Sequence, residues 1–471
     1  MTTRTKESQA MVGTTISRSL LVGAVAVTLS LLPQACSTDT ILGVHIPNVI
    51  DPGSLNSAAG AASAYAGAFG DFAFANDGDN GGTEGQILVG GVMSDEYIDS
   101  ETFPTRIQYD SRGIDERNLT LTAVFRNLQR ARVSLEVAAG LLRTYAPAPA
   151  SRVGEMLALS GLTKVYTAEN YCSGVPFSSL SGPLGQPLTT SEILQAASAR
   201  FDSVLTLGID TTKADSLTAR KIVYLARLGK ARALLDLAQP ASAATWDSAA
   251  AIAAQVPLTF RYLTAHSVAT NREVNGNHVF NSGSSAGGTG RFSVAEKEGI
   301  NGLNFRTAND PRVVTVQQGL GFDAVTPLFA LMKYPQNTSP TVVADGIEAQ
   351  LIVAEDELHN LQYAGWLATL NNLRANGGVT GLAALTDPGT SLKDSLRVDL
   401  MFRERAFWLF GTGHRLGDLR RLVRQYGRGA ETVYPTGAYF KGGLYGADVN
   451  IPVPFDERNN PNFHGCQNRG A

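Results

Sequence analysis

Aromatic side chains standing beside carboxylates are the residues of this chain best suited to chemistry, and the chemistry they suit is ligand capture. Phe72 and Phe74 precede Asp77 and Asp79 in a run rich in Gly and Asn, Tyr97 stands among Asp95, Glu96 and Asp99, and Tyr171 follows Asn170. An exposed aromatic flanked by carboxylate, amide or guanidinium groups can hold a ligand that presents both an apolar face and polar groups. Aromatics of this kind are more often core or solvated surface than ligand contacts. Within that bound, Phe72, Phe74, Asp77, Asp79 and Tyr97 are the candidate ligand-binding residues, and the Gly-rich neighbourhood makes the first four the preferred group.

Strings that resemble catalytic motifs lack the context their chemistry needs. Gly283-Ser284-Ser285-Ala286-Gly287 fits Gly-x-Ser-x-Gly, but a nucleophile elbow requires a strand before it and a helix after it, and no apolar helix follows here. Gly411, Gly413 and Gly417 miss the dinucleotide spacing by one residue and follow a helical pattern, so they read as a turn. The six histidines are scattered without a pair at metal-ligand spacing. Asp77 and Asp79 could begin a calcium loop, yet Leu88 occupies the place of its bidentate Glu, which leaves at most a weak cation site. No catalytic residue, metal or cofactor is expected, although two carboxylates distant in sequence could still meet as a glycosidase pair. A net charge of −3 without a basic cluster argues against nucleic acid as a partner.

These residues must be positioned by a largely helical framework. Apolar positions recur at helical spacing over residues 57–74, 116–145, 152–169, 190–207, 217–237, 244–256, 347–360 and 366–375, with Gly, Pro or Asp between them. The 116–145 and 152–169 segments form an antiparallel hairpin, and the run from Leu228 through Trp246 to Pro257 is loosely like a tetratricopeptide hairpin. Residues 259–340 lose the helical period and read as an irregular segment facing ligand or partner. Towards the end, Val398, Met401, Phe402, Phe407, Trp408 and Leu409 mark a helix over 396–410. Gly411 and Gly413 turn the chain, and Leu416, Leu419 and Leu422 begin a second helix. Glu404, Arg415 and Asp418 fall near that joint. Burying a charge is costly unless it is paired, so they are expected to form a structural ion-pair network that fixes the helix crossing.

The N-terminus speaks to compartment. Arg4, Lys6 and Arg18 precede an apolar run from Leu20 to Leu32, followed by Pro33-Gln34-Ala35-Cys36-Ser37. A basic start, a short apolar centre and a small residue before a cut site describe a secretory signal peptide over 1–35. Ala35-Cys36 makes Cys36 the lipidated first residue of the mature chain, although Pro33 stands where such signals usually carry Leu. The alternative is an ordinary signal cut nearby, leaving a periplasmic protein. Residues 36–56 then form a linker, and 57–471 a single domain with a helical part (57–258) and a loop-rich and C-terminal part (259–471). Cys172 and Cys466 remain as an even pair in an oxidising compartment, either a disulfide or two buried thiols.

Several of these strings occur in a telling order. Arg403-Glu404-Arg405-Ala406-Phe407-Trp408 leads through Gly411-Thr412-Gly413-His414-Arg415 to Asp418-Leu419-Arg420-Arg421. Tyr445-Gly446 then runs to Ile451-Pro452-Val453-Pro454, Glu457 and Asn460-Pro461-Asn462. This order resembles the C-terminal signature of the SusD/RagB family, and Glu348-Ala349-Gln350-Leu351-Ile352-Val353-Ala354-Glu355 is similar to a helix of that family. The resemblance is specific in the C-terminal third and diffuse before it. It implies a mainly α fold of tetratricopeptide-like hairpins with long loops. It also implies an outer-membrane, cell-surface lipoprotein that binds an oligosaccharide or peptide and delivers it to a SusC-like TonB-dependent transporter, without covalent chemistry. A surface-anchored hydrolase and a structural helical-repeat adaptor are the competing expectations.

Overall fold

The structure is a computed structural model that describes residues 55–180, 182–212, 216–389 and 395–471. The signal segment, Cys36 and nearly all of the 36–56 linker lie outside the described residues. Among those described, thirteen α-helices carry the chain and eight short strands pair two by two.

Helix α1 (Ala58–Asp77) starts where the Ser57 hydroxyl accepts from Gly60 N at 3.0 Å, satisfying one of the orphan donors of the first turn. Then come α2 (Gln86–Met93), β1 (Tyr97–Asp99) and α3 (Pro104–Asp110). The sequence reading missed both short helices. In α2 every residue is buried, so it shows no amphipathic period.

Helix α4 (Leu119–Tyr145) buries Leu121, Val124, Phe125, Leu128, Leu135 and Leu142 along one stripe, and α5 (Ala150–Asn170) packs antiparallel on it and is buried nearly throughout. Strands β2 (Val175–Pro176) and β3 (Pro187–Leu188) pair before α6 (Thr190–Leu205), whose Thr189 and Glu192 form a reciprocal capping box. Helices α7 (Ser216–Leu237) and α8 (Ala243–Ala253) continue the stack.

The 259–340 segment is more regular than its sequence suggests. It holds β4 (Arg261–Thr264), α9 (Gly276–Asn281), β5 (Phe292–Val294), β6 (Thr315–Leu320) and β7 (Pro327–Leu331). Strand β4 pairs with β8 (Thr341–Asp345), β5 with β1, and β6 with β7, all antiparallel. Three to six residues are too few to show a period, and two of the three pairings bring together residues far apart in sequence. Helices α10 (Gly346–His359) and α11 (Tyr363–Asn376) then resume the stack. Trp246 of α8 lies face to face with His359 of α10, rings 4.4 Å apart, while its indole N–H donates to the Gln239 carbonyl at 3.1 Å.

The last two helices, α12 (Ser395–Trp408) and α13 (Arg415–Arg424), are tied in by buried ion pairs. Asp418 accepts from Arg405 at 2.8 and 2.9 Å and from Arg421 at 2.8 Å, and Arg421 reaches on to Glu355 of α10. Arg415 pairs with Asp95 at 2.5 and 2.9 Å. Glu404 accepts from Arg312 at 2.7 Å and from Arg374 of α11 at 2.7 Å. The three residues named from sequence thus do not pair with one another. Each finds a partner on a different element, so the pairs anchor α12 and α13 to the rest of the molecule as well as setting their crossing. Arg420 adds a cap, donating to the carbonyls of Ala168, Glu169 and Tyr171 at the end of α5.

Cys172 and Cys466 are joined as a disulfide, Cα atoms 5.9 Å apart, and the tail beside it is stitched down by Ser173 N to Asn468 O at 3.0 Å and Gln467 N to Ser173 O at 2.8 Å. Removing both cysteines by Cys172→Ser and Cys466→Ser is expected to lower unfolding free energy by about 2–4 kcal/mol. Chemical denaturation checks this, and an unchanged midpoint would refute it.

Asp418 supplies a second prediction. Burial alone would raise its carboxyl, but Arg405 and Arg421 hold it well below the usual carboxylate range. Its folded pKa is depressed, so its contribution to stability is present above the ordinary carboxylate pKa and is lost as pH falls towards the folded value. Asp418→Ala, which strands two buried guanidinium groups, is expected to cost about 3–5 kcal/mol near neutral pH. The deficit relative to the native chain should shrink in acid, as read by denaturation at a series of pH values.

Candidate functional site

The candidate ligand residues read from sequence are structural. Phe72 is buried between α1 and α5, stacked on Tyr166 at 6.3 Å. Phe74 is covered by the guanidinium groups of Arg272 and Arg130, 4.5 and 5.7 Å from its ring centre. Asp77 is fully buried and accepts from Asn76 Nδ2 at 2.6 Å and Thr264 Oγ1 at 2.8 Å, with His266 Nε2 2.9 Å away. Asp79 is half-buried and its carboxylate closes its own turn, accepting from Gly81 N at 2.8 Å and Thr83 N at 3.0 Å. Tyr97 lies in β1 with its ring edge-on to Phe410. Tyr171 is buried against Phe125, and its hydroxyl accepts from Gln86 Nε2 at 3.2 Å. The Gly- and Asn-rich run does signal a turn, but α9 begins so close to the Asp77 carbonyl that a Cβ at Gly276 would collide with it. Helix α9 thus covers the start of the turn, while its tip at Asn80, Gly81 and Gly82 stays exposed.

The Ser284–Ala286 segment is a single 3-10 turn. The ring nitrogens of His278 beside it lie 2.8 Å from the carbonyls of Tyr334 and Ala286, with Ser282 Oγ 3.2 Å from Nδ1. Among the described residues no His, Cys, Asp and Glu are grouped to hold a metal.

A different set of aromatics faces solvent. Phe103, Phe322 and Phe440 are 44%, 49% and 47% exposed. Phe103 precedes α3, where Pro104 opens the helix; its ring lies 6.0 Å from that of Phe322 at an interplanar angle of 30°. Arg291 sits against both, its guanidinium carbon 4.5 Å from the Phe322 ring and 5.2 Å from Phe103. Phe322 leaves β6 in the connection to β7. That connection is fixed by Phe322 N to Gly290 O and Asp323 N to Ser100 O, each at 2.9 Å. Gly321 is pressed so closely on Ser100 that a side chain there would collide with it. Phe440 tips the turn bridged by Ala438 and Leu444.

Carboxylates hold these three loops together. Lys441, beside Phe440, donates to Asp99 Oδ1 at 2.8 Å, stands 3.2 Å from Asp323 Oδ2 and reaches the Glu101 carbonyl. Glu101 accepts from Arg106 at 2.9 Å and from Arg291. Burial pushes the Glu101 carboxyl up to about 7, against the pull of Arg291 and Lys441. The cations around the rings are thus engaged by carboxylates and carbonyls of the protein itself. Each of the three loops leaves a phenyl ring partly in solvent, and Leu320 and Val325, near Phe322 in sequence, are exposed as well.

Sequence reasoning missed all three phenylalanines, which lie in three separate parts of the chain. The signal available was local: Phe103-Pro104, Gly321-Phe322-Asp323 and Phe440-Lys441-Gly442-Gly443 each set an aromatic in turn chemistry.

A cavity of about 280 Å³ lies elsewhere, at the start of α10, with Lys333, Arg261, Trp408 and His414 in its wall. Burial lowers the Lys333 ammonium to about 8. The charged groups of this wall mostly face protein partners: Arg312 on Glu404, Glu348 on His414 at 3.2 Å, and Lys333 on the Phe410 carbonyl at 2.5 Å. It belongs to the helix joint more than to a ligand site.

No protein-family model matches the chain, and no curated protein matches its sequence. Solved structures do match in fold. Surface glycan-binding protein A from Bacteroides thetaiotaomicron superposes with a TM-score of 0.63 at 11% identity, over 88% of this chain and 99% of that one. The same protein in complex with laminarihexaose gives 0.62 at 11% identity, over 87% and 99%. A SusD superfamily protein from Parabacteroides distasonis gives 0.62 at 12% identity, over 86% and 98%. The chain has the SusD-like fold.

Proposed function

We propose that this chain is a glycan-binding protein of the bacterial surface, which holds an oligosaccharide on the face made by Phe103, Phe322 and Phe440 and passes it to a SusC-like, TonB-dependent outer-membrane transporter. The exposed triple-phenyl face carries the reading. Three large aromatic side chains left half in solvent, in loops that carboxylates hold in place, form a preorganised surface for the apolar faces of sugar rings. The fold supports it, since a protein of this fold was solved with laminarihexaose bound. The sequence supports the location: the signal-like segment ending at Cys36 would supply the lipid anchor, and no helix among the described residues is long and apolar enough to cross a membrane. Catalysis plays no part in this reading, because capture and release require only differential affinity.

Two experiments test the two halves. Isothermal titration of the mature chain against soluble oligosaccharides, laminarihexaose included, should find a ligand whose affinity falls about 2- to 10-fold in Phe103→Ala and in Phe322→Ala, the loss expected of one aromatic contact of about 0.5–1.5 kcal/mol. Both residues are substantially exposed, so the thermal midpoint should change little. Equal affinity in the variants would remove the face from the binding site. Purification of the tagged chain from native outer membranes in mild detergent should bring down a stoichiometric barrel. Recovery of the chain alone would sink the transporter half.

A further inference from the structure

Directly behind the phenyl face lies a cluster of acids with too few donors. Asp110 of α3 is fully buried and Glu298 nearly so. Asp110 Oδ2 accepts from Asp99 N at 2.8 Å and from the Tyr439 hydroxyl at 2.9 Å, and Glu298 Oε1 accepts from the Tyr445 hydroxyl at 3.1 Å. The remaining oxygens, Asp110 Oδ1 and Glu298 Oε2, meet no donor, and the two tyrosines that donate to these carboxyls lie against each other, their rings 5.2 Å apart.

The cations around the pair are bonded to other groups, although Lys441 still pulls the Asp110 carboxyl down from a distance. Lys441 is shared between Asp99 and Asp323. Arg112 is engaged by the Pro435 and Asp448 carbonyls and by Glu431 at 3.3 Å. Arg415 is spent on Asp95, which itself adds negative charge beside Glu298. Asp99 stands next to Asp110 with its own Oδ2 unpaired. Two ionised carboxylates facing each other here would be buried, repelling and unsatisfied. One proton between them turns two orphan acceptors into a hydrogen bond.

We propose that Asp110 and Glu298 share a proton at neutral pH, and that this shared proton is the clamp that holds the Tyr439 to Tyr445 turn, and with it Phe440 and Lys441, in the binding face. The link runs through the two hydroxyls. Tyr439 and Tyr445 donate to the acid pair, their rings meet edge to face at 5.2 Å, and Tyr439 packs on Phe440 at 4.9 Å. Burial pushes both carboxyls up, and Asp110 pushes Glu298 further. For acids raised in the folded state, the folded chain binds more protons than the unfolded one. The stabilisation is therefore whole below the ordinary carboxylate range and is lost as pH rises through the folded values. Alkaline conditions that remove the shared proton should loosen the turn and weaken binding at the face, whereas mild acid leaves the folded pair as it is at neutral pH.

The consequence for binding rests on the function proposed above, whereas the shared proton does not, so the test has two separable arms. In the first, infrared spectra of the ligand-free mature chain at neutral pH should show a protonated carboxyl that is lost in Glu298→Gln. The amide of that variant can donate to Asp110 Oδ1 without a proton. Its thermal midpoint should accordingly fall less than that of the native chain between mildly acidic and alkaline pH. Asp110→Asn serves as the second variant should the first fold poorly. Absence of the carboxyl band in the native chain, or identical pH profiles of native and variant chains, would overturn the proposal. In the second arm, the affinity for laminarihexaose, or for whichever oligosaccharide binds, should fall as pH rises in the native chain and stay flatter in Glu298→Gln. Failure of this arm alone, with the first upheld, would detach the proton from the face and leave the clamp a stabilising device.

Discussion

Charge buried inside the helical stack is the constraint on which the rest of this molecule depends. Arg405, Arg421, Arg415, Arg312 and Arg232 are all buried, and each is met by a carboxylate on another element. A buried guanidinium is tolerable only where its partner is placed to accept its planar fork, so these pairs restrict how α12 and α13 can sit against α10 and the segment before β1, and how α7 sits against α5. The pair between Arg415 and Asp95 extends this restriction to the outside of the molecule. Asp95 lies two residues before Tyr97, and β1 leads directly into Asp99, Glu101 and Phe103.

The chain divides its work accordingly. The helical hairpins supply bulk, with Trp246, Trp366 and the aliphatic stripes of α4 and α5 filling the interior. The short strands supply placement. Pairing of β1 with β5 sets Arg291, just before β5, against the loop after β1, and the β6 to β7 hairpin carries Phe322 to the same place. Lys441 then closes the arrangement from the far end of the sequence. Rigid elements fix the loops, and the loops carry the surface that ligands would meet.

The likeness to solved SusD-like structures is one of architecture. At 11 to 13% identity the path of the backbone is shared while most side chains differ. What could favour capture in this chain is therefore its own set of exposed phenylalanines, Phe103, Phe322 and Phe440. The acid pair beneath them has the same character. A folded interior that needed only stability would be served as well by apolar side chains of similar volume.

The sequence by itself determined the helices of the stack, because an amphipathic period of 3.6 is written in consecutive residues and needs no distant partner to be read. It also determined the C-terminal motifs, the turn at Gly411 and Gly413, where both residues adopt positive φ, and an even pair of cysteines. Tertiary structure alone decided the rest. Helix α2 was invisible because it is apolar on every side, and β1 and β5 because their partners are almost two hundred residues apart. Local sequence does not separate Phe72 and Tyr97 from Phe103 and Phe322, since a run of glycines and acids shows that a turn exists but not what packs over it. Exposure is fixed by which elements come to lie against a side chain, and that is settled only when the whole chain has folded.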